Sequence, residues 1–396
     1  MNVLAGAAER RILDIVGRRI RAGHLAVTLP DGSGRTFEGR HPGPTAAVTL
    51  HRWRPLRLVT TTGAIGLADA YVRGDYDVDD LEAFLELFAL HLEPAYREPV
   101  PEWLHRLGRT AWRVFGNPDR TRGPLGDIVQ HYDLGNDFYA AWLDDSMTYS
   151  SGIFADADVS LAEAQRLKYE RLAEHAGVRA GDEVLEIGSG WGGFAVYLAG
   201  ELGCRVRTVT VSKEQHDYVE KLVVEHGLVD RVDARLQDFR TVDGSYDRIV
   251  SVEMMESVPQ RLWDPYFRQL RQRLRPQGTV GLQLIVVADH HWRDSDEHPD
   301  FVRRYIFPGG QVPAPSVLHD LAERHGLTWR EDAGFGSSYA RTLAHWLERF
   351  DAAWPSIAEM GFDERFQRMW RYYLAYCGAG FASGRTDVRQ IVLAPD

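Results

Sequence analysis

The chemistry most visible in this chain lies in one glycine cluster and a few acidic residues around it. Residues 183–193 read EVLEIGSGWGG, an apolar run that enters a glycine turn, and residues 194–199 then begin a helix. Gly188 and Gly190 let the backbone turn tightly and approach a ligand closely. The N–H groups at the start of the following helix point into the same space. That arrangement suits a nucleotide-like cofactor. Gly188, Gly190 and Gly193 also fit the G-x-G-x-x-G spacing of dinucleotide sites, a weak signal when it stands alone. The dinucleotide reading expects an acidic residue about 20 positions on, at the end of the second strand. Here the second strand, expected over 205–211, ends in Ser212 and Lys213, and Glu214 already belongs to the next helix. The acid near the turn is instead Glu186, two residues before the first glycine. Two more, Glu253 and Glu256, follow another apolar run.

These residues need a scaffold, and the patterning supplies one. Strands are expected at 183–187, 205–211, 232–236, 246–252 and 279–287, with helices at 161–176, 193–202, 213–226 and 261–274. Such alternation predicts an α/β domain with a parallel sheet covered on both faces. Ligands in such sheets bind beyond the C-terminal strand ends, near the switch in strand order. Gly188 and the 253–256 segment should therefore be neighbours across the site. A smaller domain is expected over 1–120, with helices at 8–22, 63–73 and 81–91. The first presents Ile12, Ile15, Val16 and Ile20, and short strands are expected at 47–50 and 56–59. Turn chemistry at 116–118 and 121–124 marks the boundary. Residues 289–315, rich in Pro, Gly and His, read as an insertion. Residues 316–396 should hold two helices and a final strand at 389–393.

Composition narrows the function classes. The chain has 396 residues, 44% hydrophobic and 26% charged, as in ordinary globular proteins. No run reaches the ~18 apolar residues of a membrane span. There is no apolar signal core, and Cys204 and Cys377 form neither a disulfide framework nor a metal site. These features favour the cytoplasm. The net charge of −11 argues against general nucleic-acid binding. Residues 1–60, however, carry ten arginines against four acidic residues, a balance suited to an anionic membrane surface or to a solvated face.

The pattern E-x-G-x-G-x-G from Glu186 resembles the opening motif of S-adenosylmethionine methyltransferases. Further stretches resemble one family among them, the cyclopropane fatty acid synthase-like enzymes. They are HYDLGNDFY at 131–139, MTYSS at 147–151, VTVSKEQ at 209–215, RYIFPGG at 304–310 and TLAHWLERF at 342–350. The likeness is strong over 125–396 and weaker over 60–90. It implies a Rossmann-like class I methyltransferase fold, with a mostly parallel seven-stranded sheet and a smaller N-terminal α+β domain for lipid or membrane docking.

The resemblance also implies the chemistry. The π bond of a cis-unsaturated acyl chain of a phospholipid takes the sulfonium methyl, a carbocation forms on the neighbouring carbon, and a base removes a proton. By this likeness Tyr149, Ser150, Gly188, Gly190, Thr210, Val211, Gln215, Gln237 and Asp238 bind the cofactor. Glu256 heads the catalytic residues, and Tyr305 and Tyr339 face the cation. Cyclopropane synthases hold a bicarbonate ion, the presumed base, with a Cys, a Glu, a His and a Tyr. The Glu corresponds to Glu256, but Ser151, Gln283 and Leu347 stand at the other three positions, and bicarbonate is correspondingly doubtful. Glu253 is an added carboxylate where cyclopropane formers usually have a small residue. Two carboxylates at one apolar site can split their pKa values and leave one as base.

This altered set looks more like the actinobacterial branch that makes methyl-branched, tuberculostearate-type fatty acids through a 10-methylene product, which a separate reductase then saturates. A true cyclopropane synthase, a small-molecule methyltransferase of secondary metabolism and a non-catalytic lipid-binding relic stay open, as does assembly into a homo-oligomer.

Overall fold

The computed structural model describes residues 6–91, 134–292 and 300–396, except the side chains of residues 60 and 61. The expected domain boundary near residue 120 and the start of the 131–139 motif lie outside the described residues. The described chain packs as two compact units.

One unit contains residues up to 91, Asp300–Val302 and Phe350–Ser383. Its strands are β1 (Ala22–Thr28), β2 (Gly34–Glu38), β3 (His41–Leu50) and β4 (Tyr76–Val78), in the order β2-β1-β3-β4. Helices Arg54–Val72 and Leu81–His91 pack with Glu364–Ala382. Arg368 ties the last helix to this sheet by donating to the carbonyls of Tyr71 and Tyr76 and to Asp77, each within 2.8 Å. Two expectations fail here. Residues 56–59 are helical, because Leu56 and Val59 are buried three residues apart, the helical period, and Pro55 suits the first turn. The first helix ends at Gly17 rather than near 22, and Ile15 is 53% exposed while Leu13 is buried.

The other unit contains residues 134–292, Arg303–Arg349 and Gly384–Asp396. Its strands are β5 (Glu183–Ile187), β6 (Arg205–Thr210), β7 (Val232–Leu236), β8 (Tyr246–Val252), β9 (Leu274–Val287), β10 (Leu327–Gly334) and β11 (Thr386–Pro395). They form one seven-stranded sheet in the order β10-β11-β9-β8-β5-β6-β7. All neighbours run parallel except at β11, which is antiparallel to both β9 and β10. This is the expected Rossmann-like α/β architecture. The order reverses between β5 and β8, so the ends at Gly188 and Glu253 lie side by side. Strand β9 begins five residues earlier than expected. Strand β10 and an additional helix in the 316–396 segment were not anticipated.

Period-two alternation explains the two cores. Leu185 and Ile187 of β5 face Trp263, Tyr266 and Leu270 on one side of the sheet. Val184 faces Leu172, Phe194, Val219 and Val223 on the other. Glu186 shares the face of Val184, inside the protein. Helix Leu161–His175, which covers that face, starts with a capping box. Ser160 accepts from the Glu163 N–H at 3.3 Å, and Glu163 accepts from the Ser160 N–H at 3.0 Å. Ser160→Ala is expected to lower stability by about 1 kcal/mol, read as a reduced urea midpoint with an unchanged slope.

Candidate active site

At the switch in strand order, the chain after β5 makes the turn that the glycines require. Gly188, Gly190 and Gly192 all have positive φ, at 92°, 50° and 89°. A Cβ on Gly188 would come within 2.9 Å of the Met254 side chain, whereas one on Gly190 would meet open space. The turn is fastened to β6, because the N–H groups of Gly188 and Ser189 both donate to the Val209 carbonyl. Around it is a cavity lined by Tyr149, Ser150, Glu186, Gly188, Gly190, Thr210, Val211, Gln215, Gln237 and Glu253. Thr210 donates to the Gln215 side chain at 2.9 Å and accepts from the Ser212 N–H. Glu186 accepts from the Thr208 hydroxyl at 2.6 Å. Burial pushes its carboxyl up to about 8, and the Thr208 hydrogen bond opposes the shift.

Beyond the end of β8 lies a second polar cluster. Glu253 has φ 48°, a left-handed conformation that costs a non-glycine residue roughly 1–2 kcal/mol. Glu253 is half-buried, and both oxygens of its carboxylate are partnered. Oε1 accepts from the Ser151 N–H at 2.9 Å and the Gln283 amide at 2.7 Å, and Oε2 accepts from the Tyr339 hydroxyl at 2.6 Å. Gln283 is oriented in turn by Gln390, which donates to its Oε1 at 3.0 Å. Burial raises the Glu253 pKa, while the Lys168 ammonium and the three donors lower it. Lys168 is itself fully buried, donates to the Ser150 hydroxyl at 2.6 Å, and is brought down to about 7 by burial. Glu256 differs. Its Oε1 accepts from the Ile285 N–H, and its buried Oε2 has no partner among the described residues. Burial first, then the Glu253 charge, pushes it up to about 8.

Aromatic rings gather beside the cavity. Tyr149 lies 5.2 Å from Trp346 and 5.6 Å from Trp142 between ring centroids, and Tyr339 lies 6.1 Å from Trp346. The 307–310 loop closes over the backbone of Glu256. Gln311 N–H donates to the Glu256 carbonyl at 2.8 Å, and a Cβ on Gly310 would press against the same oxygen.

The family model for mycolic acid cyclopropane synthetase matches residues 120–391. The chain belongs to this family. The tuberculostearic acid methyltransferase UfaA1 of Mycobacterium tuberculosis is 38% identical over 403 residues, covering 98% of this chain and 92% of that protein. The cyclopropane-fatty-acyl-phospholipid synthase of Escherichia coli K12 is 34% identical over 338 residues, covering 85% of this chain and 84% of that protein. Among solved structures, mycolic acid cyclopropane synthase CmaA1 complexed with SAH and CTAB superposes with a TM-score of 0.64 at 26% identity. That match covers 69% of this chain and 99% of that one.

This member of the cyclopropane synthetase family is thus an S-adenosylmethionine-dependent methyltransferase, and the cavity fits that cofactor. Its left-handed glycines leave room for close approach, and its polar side chains stand at the ends of β5 and β6 and just past β7. Eight of the nine residues that resemblance assigns to the cofactor line the cavity. Asp238 is not among the described lining residues: its carboxylate caps the turn Phe239–Thr241 and pairs with Arg240 at 2.7 Å.

Of the expected catalytic residues, Ser151, Gln283 and Glu253 meet in one network. Glu256 neighbours it, and its coupling to Glu253 is electrostatic. Tyr305 ends the helix Phe301–Tyr305 with the Arg304 guanidinium 5.2 Å from its ring, and it is not among the lining residues. Lys168, Gln165 and Gln390 escaped the sequence reading. Gln165 donates to the Ser150 carbonyl at 2.9 Å, and all three sit in elements that read only as amphipathic packing.

Two outcomes follow from this geometry. Gly188→Ala should weaken SAH binding by about tenfold or more in calorimetry, because the new Cβ meets Met254 and φ is positive. Glu186 titrates near 8 in the folded chain against an ordinary 4.5. Its stabilising contribution is therefore complete below the lower value and lost as pH rises through the upper one. The melting temperature of the ligand-free protein should fall less steeply between pH 5 and pH 8.5 in Glu186→Gln than in the wild type.

Proposed function

We propose that this enzyme transfers a methyl(ene) unit to a cis-unsaturated acyl chain of a phospholipid and leaves a methylene branch on the chain, the 10-methylene precursor of a methyl-branched fatty acid. The carboxylate pair beside the cofactor cavity, half-buried Glu253 next to buried Glu256, carries this reading. The named activities of the tuberculostearic acid methyltransferase and of the cyclopropane-fatty-acyl-phospholipid synthase support it.

Glu186, Gly188, Gly190, Thr210, Val211, Gln215 and Gln237 hold the cofactor, with Tyr149 and Ser150 covering it. When bound, S-adenosylmethionine supplies an electrophilic methyl to the acyl π bond, which leaves positive charge on the neighbouring carbon. The rings of Tyr149, Trp346 and Tyr339 face that charge, and each ring face favours a nearby cation by about 0.5–2 kcal/mol. The same apolar wall keeps water from capturing the cation as an alcohol. Proton removal falls to the carboxylate pair.

Membrane access fits the N-terminal region. Exposed Arg11 on the helix Ala7–Gly17 and exposed Arg18 at its C-cap flank exposed Ile15, a pattern suited to an anionic lipid surface. The unsaturated product requires a separate reductase for saturation. The domain division, with the first ~120 residues docking to lipid and the remainder performing catalysis, belongs to the same proposal.

Purified enzyme supplied with methyl-labelled S-adenosylmethionine and vesicles of oleoyl phospholipid should label the acyl chain. Proton NMR of the extracted lipid should show vinylidene rather than cyclopropane resonances. Cyclopropane signals would reassign the product, and unlabelled lipid would overturn the reading.

A further inference from the structure

The residues that resemblance assigns to a bicarbonate ion do not form an anion cradle here. The Ser151 hydroxyl turns to the Gly152 carbonyl at 2.9 Å, Leu347 offers no polar atom, and the Glu256 oxygen not bonded to Ile285 has no donor among the described residues. The donors that remain, the Ser151 N–H and the Gln283 amide, are both used by Glu253. Tyr339 closes the other oxygen of that carboxylate. Glu253 therefore receives three hydrogen bonds from three separate segments of chain, and it also borders the cofactor cavity, whereas Glu256 is not among the described lining residues.

We propose that the Glu253 carboxylate is the proton acceptor of this enzyme, standing where other members of the family use an added anion, with Ser151, Gln283 and Tyr339 as its positioning residues. The assignment rests on the acyl methyl(ene) transfer proposed above. The step balances without a further reactant. The methyl is bonded to one former alkene carbon, and its neighbour is cationic. A hydride moves from the methylated carbon to that neighbour and brings the positive charge to the carbon bearing the methyl. Glu253 takes a proton from the methyl, the C–H electron pair becomes a double bond between the chain carbon and the former methyl carbon, and the carboxylate becomes a carboxylic acid that later returns its proton to solvent. Its surroundings suit this role. Burial raises the Glu253 pKa, which strengthens the carboxylate as a base, while Lys168 and the three donors oppose that shift and keep the ionised form accessible; burial first, and then the Glu253 charge, pushes Glu256 up to about 8.

The test uses the full chain with oleoyl phospholipid vesicles, in buffer freed of carbon dioxide and in buffer supplemented with bicarbonate. Wild-type turnover should be the same in both, and 13C-bicarbonate should show no saturable binding to the wild type by NMR. Glu253→Gln should lose turnover by about a hundredfold or more while still binding SAH in calorimetry, which shows that its cofactor site is folded. Glu253→Gly, which suits the left-handed backbone, should bind 13C-bicarbonate and regain product when bicarbonate is added. Wild-type activity that disappears without bicarbonate and returns with it would overturn the assignment. So would a Glu253→Gln enzyme that keeps more than a tenth of wild-type turnover. A wild type that labels no acyl chain in either buffer would strike the functional reading instead, and the bicarbonate-binding comparison would still judge the Glu253 site.

Discussion

A half-buried negative charge must be met by donors, and satisfying Glu253 organises much of the site. A carboxylate withdrawn from water costs several kcal/mol unless hydrogen bonds replace its hydration. Here the replacements come from the segment before helix Leu161–His175, from β9 and from helix Gly336–Glu359. Two of them are held in turn by further side chains. Gln390 of β11 orients Gln283, and Gln165 and Lys168 hold the 148–150 segment from the helix above it. The antiparallel strand β11 thus does more than complete a sheet, because its side chain sets the amide that faces the carboxylate.

The cofactor side obeys a different constraint. There the backbone has to come close, so the turn is glycine with positive φ, and its N–H groups are tied to β6. The two sides meet because the strand order reverses between β5 and β8. The turn that receives the cofactor and the strand end that bears Glu253 leave the sheet at the same edge. Topology, rather than any local sequence signal, places the cofactor cavity next to the Glu253 network.

Local features were legible in the chain and distant ones less so. The glycine turn and strands β5, β7 and β8 follow from short apolar runs bounded by turn residues. Strand β10 was missed because its residues, LTWREDAG, carry charges on an edge strand that buries little. Residues 56–59 alternate for only four positions, too few to separate strand from helix. In the site, resemblance pointed to Leu347 for the missing tyrosine. The hydroxyl that reaches the carboxylate belongs to Tyr339, eight residues earlier on the same helix, about 12 Å along its axis. Lys168 and Gln390 had no visible role, since a buried polar residue inside an amphipathic pattern looks like any surface position until its partners are known.

The left-handed backbone at Glu253 also bears on how such enzymes diverge. A position with φ 48° accepts glycine more readily than any other residue. Glutamate and glycine codons differ by a single base, GAA or GAG against GGA or GGG. A lineage can therefore gain or lose this carboxylate in one mutational step, with the main chain already shaped for either residue. The surrounding donors would then pass between a side chain and a dissolved anion, and the fate of the cation would change on a scaffold that need not move.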